Sequence, residues 1–343
     1  MKHLLSLILL LSFTSCKNSL EQALKQDSSG TPYDLYLVME EALQETALND
    51  TLHAIFEFPM EGTPNGDEYY RVRHLTPESF ASQVIRIVAN VVIVDIDQQN
   101  ASEPVITLDR DHFAHNQIIV RMHAKTIESL AEYASQLQVQ LRQLFVNNEI
   151  NRRVRILTDE HQHRQLDRLM RLQDASLFLP LSMDVPCVPA ADSTFFWVSD
   201  GFAERTSWIV VYSVPYTDQN IFSLEGAVAV RDSVMGANIT GADSTQYMET
   251  NKRVILPEYK ALNIGGRYVG ELRGMWRMQN GMMAGPFICH MRLDELNRRV
   301  VFAEGFCYAP KDNKRILIRN LESILYTLKL PSDKLIPEIE VTL

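Results

Sequence analysis

The sequence predicts a two-domain protein, α/β in its first half and α+β in its second, the second having a mainly antiparallel sheet closed by a C-terminal helix. Three observations carry this. The 343 residues suffice for two cores. In the first half, strand-like apolar runs alternate with helical ones, as they do when helices pack on one sheet. In the second half, long apolar or alternating runs follow one another and end in an amphipathic helix. The predicted bounds are 31–125 for the α/β domain, 126–175 for a pair of bridging helices and 176–343 for the α+β domain.

The elements follow in order. YDLYLVM (Tyr33 to Met39) is a strand by composition, and a helix is predicted from Ala42 to Phe56. YYRVRHL alternates as a half-buried strand. Thr76 then caps a helix with Pro77 at its first position, predicted to run through Phe80, Val84 and Val88. NVVIVDI suits a strand covered on both faces, and PVITL and NQIIVRMH complete the sheet. From Thr126 to Gln173 there is neither Gly nor Pro. Leu130, Ala134, Leu137, Leu141 and Leu144 form a helical seam, predicting one helix to about Asn147 and a second through Leu166, Leu169 and Leu172. TFFWVSD and SWIVVYSV are strands, Ser223 to about Met235 a helix, Asp294 to Arg298 the tip of a hairpin, and Asn313 to Leu330 the closing helix.

The formal net charge of −10 excludes broad nucleic-acid binding, which needs a basic surface to displace counterions. The chain opens MKHLLSLILLLSFTSC: a basic start, an apolar run too short to span a bilayer, small residues and then Cys16. That pattern resembles a bacterial lipobox. It implies a signal peptide over 1–15, acylation of Cys16 (palmitate among the chains), a polar tether over 16–30 and membrane attachment through the N-terminal lipid. Acyl burial at about 0.8 kcal/mol per CH₂ makes several chains a firm anchor. The expected location is the cell envelope, at the outer membrane and facing the periplasm. Cys187, Cys289 and Cys307 remain, and whether Cys289 and Cys307 pair is left open.

The most informative stretch lies between Gly266 and Met278. With a period of two, Gly266, Tyr268, Gly270, Leu272, Gly274 and Trp276 share one side, and Arg267, Val269, Glu271, Arg273, Met275 and Arg277 the other. Each interior glycine weakens a strand by roughly 0.5–1 kcal/mol, so the bare side predicts close approach of another element, for which the final helix is the candidate. The charged side is predicted to face away from the interior. Arg267, Glu271 and Arg273 on it are the candidate contacts for an anionic ligand or an envelope protein.

No metal or cofactor is predicted. Asp109, Asp111, His112, His115 and His123 cluster in sequence, but a strand sends His112 and His115 to opposite faces. GxSxG, SxxK, HExxH and phosphate-loop motifs are absent, and no catalytic residue is predicted.

GTPYDLYLV, NVVIVDID, Asp111, Phe113, Gln117, Glu149, Arg152, WIVVYSVPY, GGRYVGELRG with Trp276, AGPF and CYAPKDNKR occur in this order. With them the chain resembles the Bacteroidetes envelope lipoproteins of the domain-of-unknown-function family DUF4837, over nearly all of its length after the tether. The resemblance implies an anchored envelope protein with no assigned activity. The layout of the second half is also similar to PsbP-type domains. The expected function is a lipid-anchored binding or scaffolding module, and the alternative is an enzyme acting on an envelope component.

Overall fold

The computed structural model describes residues 25–63, 66–99, 103–202, 204–243 and 245–335. The signal segment, Cys16 and most of the tether lie outside them. The chain divides into two compact units: residues up to Phe58 with Tyr70–Glu149, and Pro59–Tyr69 with residues from Ile150 onward.

The first unit is built on a five-stranded sheet of β1 (Asp34–Val38), β2 (Arg71–Leu75), β3 (Asn90–Ile96), β4 (Val105–Arg110) and β5 (Ile118–Ala124), in the order β2-β1-β3-β5-β4. All pairs are parallel except β4 with β5. Val91, Val92 and Val94 of the central β3 are all buried, which is why NVVIVDI lacks polar alternation. The edge strand β4 is more exposed and carries an Arg121–Asp109 ion pair at 2.8 Å, a charged edge that discourages pairing with another sheet. The helices are α1 (Ala47–Phe56), α2 (Pro77–Phe80), α3 (Ile127–Gln136) and the start of α4 (Gln138–Asp159).

Several helix bounds differ from expectation: the helix predicted from Ala42 begins at Ala47, the closing helix predicted over 313–330 spans Arg315–Leu325, and two others change more. Thr76 caps α2 by accepting from the Ser79 amide at 3.2 Å, yet α2 ends at Phe80 and Val84 is exposed. The run Val84, Ile85, Ile87 and Val88 is β-branched and loses side-chain freedom in a helix, so turns replace it. The seam expected to end near Asn147 breaks at Leu137 and then continues as α4 to Asp159.

The second unit is an antiparallel sheet ordered β10-β11-β12-β13-β8-β7-β6, with β9 on the end of β11. Its strands are β6 (Val185–Pro186), β7 (Phe196–Ser199), β8 (Thr206–Pro215), β9 (Met248–Thr250), β10 (Glu258–Ile264), β11 (Arg267–Met278), β12 (Ala284–Asp294) and β13 (Arg299–Tyr308). Its helices are the rest of α4, then α5 (His163–Gln173), α6 (Leu224–Asn238) and α7 (Arg315–Leu325). Residues 267–278 are extended, as their alternation predicts.

Which helix covers which face of β11 is a correction. The side bearing Leu272 and Trp276 joins Phe287, Phe302 and Phe306 in the main core, and α6 packs there through Ala227, Val228 and Met235. The C-terminal helix α7 instead lies on the opposite, charged side, where Glu322 binds Arg273. The glycines make room for rings of the sheet and not for a helix. A Cβ on Gly270 would collide with the Tyr259 hydroxyl, and one on Gly274 would come within 3.0 Å of the Phe287 ring. The glycine that admits α7 is Gly305 on β13, where a Cβ would stand 2.7 Å from Cβ of Leu321.

Each face therefore joins helix to sheet through a buried Arg–Glu pair of opposite sense. On one face α6 supplies Arg231 and β13 supplies Glu304; on the other β11 supplies Arg273 and α7 supplies Glu322. Cys289 and Cys307 are buried free thiols, and Cys187 is free and partly exposed.

Candidate functional site

The charged face of β11 is a layered ionic cluster under α7. Arg273 donates from Nε to Glu271 Oε1 at 2.7 Å, and from Nη2 to Glu271 Oε2 at 3.0 Å and Glu322 Oε1 at 2.7 Å. Arg319 closes the far side of Glu322 and stacks its guanidinium over the Tyr69 ring. Tyr69 donates to Glu61 at 2.6 Å, and Lys260 meets the other oxygen of Glu61. The loop at 59–69 also secures the start of α7: Asp67 accepts from the Lys314 amide at 2.9 Å and from Asn313 Nδ2 at 2.8 Å. These bonds complete the first turn of a helix whose own cap residue provides none.

Glu271 pairs across the strands with His290 of β12, whose Nε2 lies 3.3 Å from its Oε2. Burial alone would push the Glu271 carboxyl up, but the Arg273 guanidinium and His290 hold it well below the usual range. Glu271 is thus an acceptor only, and the proton of that bond sits on His290 Nε2.

Above His290 the cluster opens. His290, Arg292 and Arg267 line a cleft of about 810 Å³ with Tyr326, Lys329 and Asp333. A second cleft, of about 860 Å³, shares Arg267, Arg292 and Asp333 with the first. At the join, both guanidiniums hold one carboxylate. Arg292 grips both oxygens of Asp333 and donates to the Leu328 carbonyl at 2.8 Å, while Arg267 Nε approaches Asp333 Oδ1 at 2.9 Å. Asp333 belongs to the short 3-10 helix Pro331–Leu335.

The three sequence candidates therefore separate. Glu271 and Arg273 are brought together but are 3% and 5% exposed, so they form the floor and present no contact surface. Arg267 alone reaches the open clefts. The expectation that all three face outward is corrected: Glu322 and Arg319 of α7 supply partners that keep the charges inside. His290, Arg292 and Asp333 were missed. For His290 and Arg292 the signal was present, since ICHMRLD alternates polar and apolar residues and its polar ones share a face with Glu271; Asp333 lies outside that strand and has no part in the pattern.

His112 and His123 of the histidine-rich segment pair separately with carboxylates. His112 lies 3.9 Å from Asp109, His123 pairs with Asp95 at 3.0 Å, and no group of three metal-binding side chains occurs among the described residues. In the first unit, buried Glu149 accepts from Asn90 at 2.6 Å, and Gln117 donates to the Arg86 and Val88 carbonyls. Asn90 and Gln117 stand at the N-terminal ends of β3 and β5, away from the C-terminal ends where ligands settle in open parallel sheets.

Residues 162–327 match the family described as domain of unknown function DUF4837. The second half of the chain is thus similar to DUF4837 proteins over that segment. Residues 28–158 match a different one, domain of unknown function DUF8532. Asp111, Phe113, Gln117, Glu149 and Arg152 fall in that segment, so the DUF4837 resemblance does not extend over nearly the whole chain. No curated protein matches. A solved structure, that of a mutant of the protein Mog1, is 10% identical with a TM-score of 0.29, covering 47% of this chain and 93% of its own; a likeness that low carries no argument. Both clefts belong to the second unit, and the ionic floor from Glu271 to Glu322 lies inside the segment that matches DUF4837.

Acid should weaken this arrangement. Burial pushes the carboxyls of Glu61, Asp232, Glu271 and Asp333 up, but hydrogen bonds and neighbouring cations bring each below its ordinary range. Their ionised forms are favoured by folding, so the stability they contribute is present at neutral pH and is lost as pH falls. Glu304, pushed up by burial, opposes them. The melting temperature is expected to drop progressively below about pH 5. A melting temperature flat to about pH 3 would contradict the ionic assignments.

Proposed function

We propose that the protein is a lipid-anchored binding module of the cell envelope that holds an anionic ligand between Arg267 and Arg292. One observation carries the ligand reading: two guanidiniums converge on a single carboxylate where two open clefts meet. Guanidinium forks suit carboxylate and phosphate groups, and the chain's own Asp333 fills the place such a group would take. A ligand must displace that tethered carboxylate, whose effective concentration is high. Asp333→Asn is therefore expected to raise the affinity for citrate about tenfold or more in calorimetric titration, and Arg267→Glu to abolish binding. If neither the wild-type protein nor Asp333→Asn binds citrate, the reading fails.

The address rests on the first sixteen residues, whose basic start, apolar run and Cys16 support export and acylation, with the outer membrane, facing the periplasm, as the proposed destination. Cys16→Ser is expected to abolish incorporation of a palmitate analogue in growing cells; persistent labelling would remove the basis for the anchor. The PsbP-like layout is part of the same proposal as an analogy of arrangement, with no function attached.

One observation favours the alternative, an enzyme. His290, 1% exposed, lies in the floor of the first cleft with its Nε2 held by Glu271, as an orienting carboxylate holds a general base. On that reading His290→Gln would abolish turnover of an envelope component while leaving citrate affinity intact.

A further inference from the structure

The second cleft has three aromatic rings in its walls, where the first has Tyr326 and the buried His290. Tyr268 is 51% exposed and Tyr216 37% exposed, and both line it together with the half-buried Phe222. Phe222 meets Tyr268 edge-on, with ring centres 5.4 Å apart and planes at 90°, and lies 6.3 Å from Tyr216 at 50°. The Tyr268 hydroxyl is hydrogen-bonded to that of Tyr259 at 2.8 Å, which fixes the far end of the ring. Along the rim stand the exposed side chains of Gln219, Asn220 and Glu295, and at one end lies Arg267.

This combination selects among ligand chemistries. Rings meeting at right angles form a corner and not a slot, so a flat aromatic ligand has no pair of parallel faces to enter. A purely aliphatic ligand would cover the amides and carboxylates of the rim without returning hydrogen bonds, at a cost of about 1–3 kcal/mol for each buried group. A pyranose has an apolar C–H face for Tyr268 or Tyr216 and hydroxyls that donate to Glu295 and exchange hydrogen bonds with Gln219 and Asn220. A cavity of about 860 Å³ is within the range of small-ligand sites and has room for more than one sugar ring.

We infer that the cleft walled by Tyr216, Phe222 and Tyr268 is a saccharide-binding site, with an acidic sugar as its ligand. The acidic part rests on the anion reading above: the sugar carboxylate would replace that of Asp333 at Arg267. The sugar rings would then extend over Tyr268 towards Tyr216.

The test is calorimetric titration of the full-length chain in detergent with trigalacturonic acid, its trimethyl ester and citrate. The acid is expected to bind, Tyr268→Ala to weaken it about tenfold, and Arg267→Gln to weaken the acid but not the ester. Citrate binding with no binding of either trisaccharide would overturn the saccharide site and leave the anion clamp standing. Equal binding of acid and ester, unaffected by Arg267→Gln, would support the saccharide site and overturn the clamp. If Tyr268→Ala does not fold, Tyr268→Phe, which keeps the ring and loses only the Tyr259 bond, is expected to retain binding; its loss would overturn the stacking role.

Discussion

Replacing Arg231 with methionine is expected to lower the unfolding free energy by about 3–5 kcal/mol. Arg231 is fully buried on α6 and donates twice to Glu304 of β13, at 2.8 and 2.6 Å, and once to Thr250 at 2.9 Å. Its guanidinium also lies 3.7 Å over the centre of the Phe287 ring. Methionine fills much of the space, so the loss is mainly that of leaving the Glu304 carboxylate buried without its cation. Burial already pushes the Glu304 carboxyl up with Arg231 present. Without Arg231 it rises further, so the defect should be greatest at neutral pH and shrink as pH falls and Glu304 takes a proton. The double replacement with Glu304→Leu should recover most of the loss. Urea denaturation of the wild type and the two variants at about pH 7 and pH 5 checks this, and an Arg231→Met variant within about 1 kcal/mol of wild type would show that the pair is not desolvated.

The second large effect is at Arg273. Removing its side chain leaves Glu271 and Glu322 buried near one another with the shared cation gone, and an expected loss again of about 3–5 kcal/mol. Arg273→Ala should also loosen α7, because Glu322 is the helix residue that Arg273 holds. Arg267, at the start of the same strand and on the same face, gives a useful contrast. Its side chain is about a quarter exposed and its partner Asp333 is on a short terminal helix, so Arg267→Ala should cost no more than about 1 kcal/mol. Equal losses from the two changes would mean that α7 does not cover Arg273.

The strands were the most legible part of the fold. Apolar runs such as NVVIVDI and the strict alternation from Gly266 to Met278 are direct consequences of the pleat, and both are strands. What alternation cannot tell is which side of a strand is inside when both are covered. Glu271 and Arg273 look like an outer face only if water is assumed to be their partner. The partner is instead Glu322 in RILIRNLESIL, 49 residues beyond Arg273. An amphipathic pattern marks the leucines and isoleucines of that helix as its inner face, yet its Arg319 and Glu322 are also buried. Matching the charges of β11 with those of α7, and His290 with Glu271 across the register, was the inference the sequence allowed. The capping of α7 by Asp67 had no local signal, because Asp67 and Lys314 are 247 positions apart and meet only in the folded unit.

The charged face of β11 is internal from Val269 to Met275 and partly exposed at its two ends, Arg267 and Arg277, and the proposed site depends on that division. Arginine modification by phenylglyoxal, read by mass spectrometry on the native protein, tests it most directly. Arg273 and Arg231 should stay unmodified while Arg267 reacts and the exposed Arg253 reacts fastest, with all four alike in urea. Native Arg273 reacting as fast as Arg253 would contradict the burial on which the site is built.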